Sequence, residues 1–427
     1  MTKHTSNTWQ TMTLGKLEAN RLVTLRNGFP CGNNNESGRG IPHIRPMNIT
    51  VDSRISLGSV KYIETDRDIS TYRILPNDVI FNNTNSHDLV GKTALWDCSL
   101  NDAVPSNHMS IIRFADNASV EPYYIAQYLH LLWLQRYFER IRRQHVNQAS
   151  ISLERLREVT IPLPPLPEQR AIAKALRAVQ EAKDARKKEI ALERERKAAL
   201  MEFLFTHGTK GEPRKQTDIG EIPQSWNVVK LGKMCKIVRG ASPRPKSDPR
   251  YYRGTIPRLM IADITRDGIF VTPRIDHLTE EGAALSRPMK KGDLILSISG
   301  TVALPCFLAV DACIHDGFIG LKDIDPKIDA FYLLHQLFFW RDRLNLIAPM
   351  GSIFKNLTTD IVKNFPIYLP TIQEQLFIAN TLTSCDKKMA VIRTEINLLD
   401  ELFRGMLEEL MSGRLSAVPL IGKETRA

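Results

Sequence analysis

VTIPLPPLPEQRAIAKAL, residues 159–176, returns as FPIYLPTIQEQLFIANTL at residues 365–382. Without gaps the two match at eight of eighteen positions, among them Ile161/Ile367, Pro164/Pro370, Glu168/Glu374, Gln169/Gln375 and Leu176/Leu382. The run LPPLP has no helical interior, because proline lacks an N–H and pushes its predecessor toward extended geometry. Pro167 suits a first helical turn, where no donor is needed, and Glu168 complements the positive end of the helix dipole. The phrase therefore predicts a stop followed by a helix start, written twice, 206 residues apart.

Working outward extends the repeat. Trp9 precedes Leu14-Gly15 at the spacing with which Trp226 precedes Leu231-Gly232. IPHIRPMNI (41–49) faces IPRLMIADI (256–264), NDVIF (77–81) faces GDLIL (292–296), and YYIAQYL (123–129) resembles AFYLLHQL (330–337). The shared order implies duplication, and the drift in offset implies loop insertions. Each copy opens with β-like runs (VKYIET, DVIFNN and MSIIRF; GIFVT and DLILSIS) and an apolar helical patch, then continues as one long helical segment.

The second long segment carries a heptad. Ile378, Cys385, Ile392, Leu399 and Met406 alternate with Leu382, Met389, Ile396, Phe403 and Leu410 at steps of four and three. The same register in the first segment reads Ile172, Leu176, Val179, Lys183, Arg186, Ile190, Glu193, Lys197, Leu200, Leu204. Its charged centre predicts either a seam rotated through Ala175 and Ala182 or a wet centre facing another protein, and the charged middle is expected to be where the two rods pack least tightly. Some 39 residues make a rod of about 58 Å. The expected fold class is α+β: two related globular α/β domains separated by a pair of long antiparallel coiled-coil helices with a pseudo-twofold repeat. The expected domains are 1–160, 161–208 (helical), 209–225 (linker), 226–366, 367–413 (helical) and 414–427 (tail).

Composition is that of a globular protein, 43% hydrophobic and 25% charged. Neither a secretory leader nor a membrane span is visible, so a cytoplasmic location is expected. Six cysteines form no C-x-x-C pair, which favours free thiols over zinc or redox chemistry. There is no Walker-type phosphate loop, no G-x-G-x-x-G helix opening, no H-E-x-x-H, no G-x-S-x-G and no Asn/Asp-Pro-Pro-aromatic run. No catalytic residue, metal site or cofactor bound by this chain is expected.

A net charge of +11 and a pI near 9.3 point to a polyanion. Arginine and lysine suit guanine and phosphate, while asparagine and glutamine suit adenine. Candidate DNA contacts in the first head are Arg39, Arg45, Asn82, Asn83, Asn85 and Lys92. In the second they are Arg239, Arg244, Lys246, Arg250, Arg258 and Ser299. The loops 26–40 and 239–254 hold equivalent places with unrelated sequences, as two heads reading different words would.

Almost the whole chain resembles the specificity subunits of type I restriction–modification enzymes. The carriers are the two Pro-Leu-Pro/Glu-Gln helix starts, the linker phrase IGEIPQSWNVVKLG (219–232) and the I-P-x-x-x-x-x-[ND]-I element. The second helix start departs in having Tyr368, Thr371 and Gln373 for prolines. The resemblance implies two target recognition domains that read a bipartite site in double-stranded DNA, with the helical pair as spacer. It also implies docking of two modification subunits, which would bind S-adenosylmethionine and methylate adenine, and of restriction subunits using ATP and Mg2+. The chain itself would catalyse nothing. The alternatives from the residues alone are a coiled-coil scaffold without DNA specificity and a self-contained enzyme.

Overall fold

The computed structural model describes residues 9–421 apart from 32, 99, 117–118, 247 and 349–356. The last six residues of the tail expected at 414–427 lie outside the described residues. The chain divides into two compact units, Met1–Ala185 with Ile396–Ala427 and Arg186–Glu395. This differs from the expected domain plan, because the cuts fall inside the two long helices, Leu166–His207 and Ile372–Met411.

Each head is built on the same antiparallel order of four strands. In the first these are Val23–Asn27, Met109–Phe114, Val79–Asn82 and Thr93–Leu95. In the second they are Lys236–Arg239, Phe318–Lys322, Leu294–Ser297 and Pro305–Leu308, with Phe270–Val271 added in parallel at the edge. The central strands are buried along their length and correspondingly apolar. Beside this sheet lies a smaller one, Lys61–Ile63, Ile41–Ile44 and Val104–Pro105 in the first head. Its counterpart orders Asp276–Leu278, Tyr252–Leu259, Ala312–Ile314 and Arg287–Met289.

The polar residues of the repeat are framework. Asn48 and Asp263, each fully buried, accept from the backbone N–H three residues earlier, Arg45 at 2.9 Å and Met260 at 3.0 Å. Asp78 and Asp293 do the same for Leu75 and Lys290, both at 2.7 Å. A side chain folding back on its own turn explains why Asn or Asp is needed there.

The repeated phrase marks a junction built alike in both copies. Its first residues are strand: Thr160–Leu163 pairs with Gln10–Thr13, and Pro366–Leu369 with Asn227–Lys230. The partner strands are the stretches between Trp and Leu-Gly in the W-x-x-x-x-L-G motif. A Cβ on Gly15 would sit 3.2 Å from the Arg157 carbonyl, and one on Gly232 would sit 3.0 Å from that of Lys363. Gln169 accepts from the Glu121 N–H at 2.9 Å and donates to the Pro164 carbonyl at 2.8 Å. Gln375 accepts from the Asp329 N–H and donates to the Lys327 carbonyl, both at 2.8 Å, and to that of Pro370 at 2.9 Å. Both glutamines are buried and tie the start of the long helix to the N-terminus of the head's apolar helix, Pro122–Leu134 or Ala330–Phe339. Glu374 takes the N–H and hydroxyl of Thr209, each at 3.0 Å.

Within each unit the long helices pack antiparallel along the expected stripe. In the first unit Ile172 and Leu176 share a core with Phe403, Leu407 and Leu410. In the second Leu204 shares one with Ile378, Leu382, Trp226 and Tyr332. Burial of such a side chain is worth about 1.5–3 kcal/mol.

The charged centre departs from expectation. The seam does not rotate, since Ala182 is exposed while Lys183 and Glu193 are buried on the stripe. Lys183 pairs with Asp400 at 3.1 Å and Asp52 at 3.7 Å, 5.4 Å from the centre of the Phe403 ring. In the second unit Lys197 meets Asp386 at 2.6 Å, Arg186 meets Glu395 at 2.8 Å, and Lys388 reaches Glu189 and Glu193. Only Arg186 of the four keeps substantial solvent exposure. The middle is therefore bridged by interhelical ion pairs, dry at Lys183 and Glu193 and open at Arg186, which the apolar pattern could not disclose.

Candidate nucleic-acid interface

Two adjoining hollows in the first head share Asn27 and Asn107. One is lined by Arg26, Asn27, Gly28, Pro30, Tyr72 and Asn107. The other is lined by Asn27, Asn83 and Asn107 together with Arg143, Ser150 and Arg155. Beyond Asn107 a third, lined in part by Arg45, Asn85, Lys92, His43 and His108, continues the surface. Burial, with Arg45 and His108 nearby, pushes His43 down to about 4, so it is neutral near pH 7. Gly28 closes the floor. A Cβ there would stand 2.1 Å from the Ser106 carbonyl, and the corresponding Gly240 has 2.0 Å to that of His315. The surface combines amides, hydroxyls and guanidinium groups, the chemistry that contacts base edges and phosphates.

Four of the residues expected to contact DNA are corrected by their burial or pairing. Asn82 is fully buried, its amide donating to the Leu89 carbonyl at 2.9 Å. Asn83 is buried too and holds Ser110 Oγ at 2.9 Å, so it supports the floor through the protein's own bonds. Lys92 turns its ammonium inward onto the Ile49 carbonyl, and burial lowers its pKa. Arg258 pairs with Asp276 at 2.8 Å and stacks 5.1 Å from the Tyr252 ring centre, with little solvent contact. Residue type alone pointed to these four, and in each burial together with at least one internal contact takes the side chain away from the surface.

The remaining candidates lie at or near the surface. Arg39 is exposed; Arg45 is half-buried and donates to the Ser59 carbonyl at 3.3 Å; Asn85 is half-buried on the rim. In the second head Arg239 and Lys246 are exposed, and Ser299 is half-buried. Arg244 is partly neutralised by Asp316 at 3.6 Å, and Arg250 by Asp248 at 2.8 Å, which also raises the Arg250 pKa. Sequence reasoning included Asn27 only within the loop 26–40, without singling it out, and missed Asn107, Arg143 and Arg155. The signal for Arg143 was present in RIRRQHVNQAS (140–150), which has three arginines and no acid.

Among the described residues no group of His, Cys, Asp or Glu is arranged to hold a metal ion, and no helix is long and apolar enough to cross a membrane. The described cysteines are all unpaired.

A family model described as type I restriction modification DNA specificity domain matches twice, at residues 32–194 and 223–401. The chain is 28% identical over 402 residues to a putative type I restriction enzyme MjaX specificity subunit of Methanocaldococcus jannaschii, covering 92% of this chain and 91% of that one. It is 27% identical over 270 residues to the MjaVIII specificity subunit of the same organism, covering 60% and 62%. A crystal structure of a type I restriction-modification system S subunit from M. genitalium has the same fold at a TM-score of 0.59 and 14% identity, covering 96% of this chain and 98% of that one. A chain from a type I R-M system studied for complex assembly and conformational transition matches at a TM-score of 0.56 and 20% identity, covering 95% and 98%. The family model and the curated relatives support DNA specificity and lend nothing to the scaffold alternative, while the solved structures show the fold.

Proposed function

The chain belongs to the type I restriction modification DNA specificity family and carries two of its domains, and from that premise we propose that each head reads one half of a bipartite DNA site. The observation that carries this is a division of labour between the copies. The framework residues Asn48/Asp263, Asp78/Asp293 and Gln169/Gln375 keep identical roles, while the exposed residues around them differ. A common scaffold with unlike rims suits two unlike words. Exposed cations anchor phosphates, and amides and guanidinium groups at the hollows discriminate bases.

In this reading the chain contributes no catalytic group. Two modification subunits dock on it and bring S-adenosylmethionine to a target base taken out of the stack. Restriction subunits, where they join, bring ATP and Mg2+. The complex acts in the cytoplasm, where the DNA is.

Methylation-aware sequencing of cellular DNA with and without the gene tests the proposal. The expected result is a gene-dependent, bipartite adenine-methylated motif, of which replacement of residues 226–366 by a foreign second head changes one half. No gene-dependent motif, or a change in both halves, refutes it. In vitro, phosphate-dominated binding weakens steeply with salt, whereas a scaffold with incidental charge shows no salt-sensitive DNA affinity.

A further inference from the structure

The hairpin Arg143–Ser150 of the first head has an unusual tip. Arg143–Gln144 pairs antiparallel with Ala149–Ser150, which pairs in turn with Thr84–Asn85. The His145 N–H donates to the Gln148 carbonyl at 2.8 Å, leaving Val146 and Asn147 as the two residues of the turn. The base is rigid: Ala149 is fully buried, the Ile151 N–H donates to the Asn83 carbonyl at 2.8 Å, and Arg142 holds the His87 carbonyl at 2.8 Å. From that base the tip projects into solvent. Val146 is 95% exposed, and Gln144, Asn147 and Gln148 are exposed with no internal side-chain hydrogen-bond partner among the described residues. Turns favour Gly, Asn and Asp, and an exposed β-branched residue returns nothing to the fold.

Resting on the reading of this head as a DNA binder, we infer that the hairpin enters the major groove and recognises an A·T base pair. A two-stranded ribbon fits that groove, which is roughly 12 Å wide. Amide side chains match the donor–acceptor pair at adenine N6 and N7, and an apolar group matches the thymine methyl. Gln144, Asn147 and Gln148 supply the first, Val146 the second, and both belong to the same base pair. Arg143, on the rim of the hollow that holds Asn27 and Asn107, faces the polyanion. The absence of acidic residues from 140–150 favours DNA over a basic protein surface.

The test selects bound duplexes from a random-sequence library with the full chain assembled with its modification subunits. The parent is expected to enrich two words. Val146→Ser, and separately the triple change Gln144→Ala, Asn147→Ala and Gln148→Ala, are expected to lose discrimination about tenfold or more at an A·T position of one word. The remaining positions of the same word, kept intact, certify that the mutated head still folds, and the second word certifies the rest of the chain. Unchanged words, a loss at G·C positions, or uniform weakening without altered base preference each overturn the inference. A parent that enriches no word refutes the DNA-reading premise itself, an outcome distinct from failure of the hairpin alone.

Discussion

Replacing Asp400 by alanine tests the cost of the buried charge at the centre of the first unit's helix pair, since the other partner of Asp400, Arg404 at 3.0 Å, is solvent-exposed and adds little. Lys183 is 2% exposed, and its nearest carboxylate is Asp400 at 3.1 Å, with Asp52 at 3.7 Å behind it. Removing one member of a buried pair costs roughly 3–5 kcal/mol, mostly as the penalty of the stranded charge. Here the Asp400 side chain is 35% exposed and Asp52 remains, so solvent and the second carboxylate reduce the loss to about 2–3 kcal/mol. For a unit of this size that lowers Tm by about 4–12 °C. Lys183→Met should behave oppositely. The thioether fills the volume of the lysine stem, Asp400 is free to hydrate, and stability stays level or rises. Urea titrations and calorimetry of the full chain measure both. A loss below about 0.5 kcal/mol for Asp400→Ala refutes the reasoning, since that is the range of an ordinary surface change. So does a Lys183→Met variant as unstable as Asp400→Ala.

The junction glutamines give a paired prediction. Gln169→Leu and Gln375→Leu each strand a backbone N–H and at least one carbonyl, at about 1–3 kcal/mol each, and comparable losses in urea are expected if the two junctions are equivalent. Acid should act on His335, which is fully buried beside Thr383 Oγ1 at 3.0 Å, with Asp386 at 4.0 Å and Lys197 nearby. Burial, reinforced by Lys197, pushes its pKa down to about 3, so it stays neutral in the folded state. Its contribution is present in full above the unfolded value near 6.5 and is lost as the pH falls toward about 3, by roughly 1.4 kcal/mol per pH unit. His335→Gln should flatten that limb of the stability–pH curve, and equal slopes for parent and variant would count against it.

Periodicity made the duplication and the helix stripe legible. Steps of three and four fix one face of a helix whatever the loops do, and that register placed even Lys183 and Glu193 correctly. What a one-letter code conceals is the partner. Asp400 lies 217 residues from Lys183, and Asp276 and Ile49 are no easier to assign to Arg258 and Lys92 from spacing. Reading those charges as free gave a wet helix centre and placed Arg258 and Lys92 on DNA, while Asn82 and Asn83 were misplaced by burial. The hollow's lining was equally hidden, because Asn27 ends one strand, Asn107 lies in the turn before another, and the two meet only through the sheet.

The first unit also takes its closing piece from Ile396–Ala427, at the far end of the chain. A ribosome finishes Ala185 and must then make the whole second unit before Phe403, Leu407 and Leu410 emerge to cover Ile172 and Leu176. At about 5–20 residues per second that interval lasts roughly 10–50 s. The earlier-born unit is thus the later one to close, and its open helix face is exposed to chaperones and proteases while the uninterrupted Arg186–Glu395 segment can already be complete. A chain released short of Phe403 would leave Ile172 and Leu176 without the cover this chain supplies from its own far end.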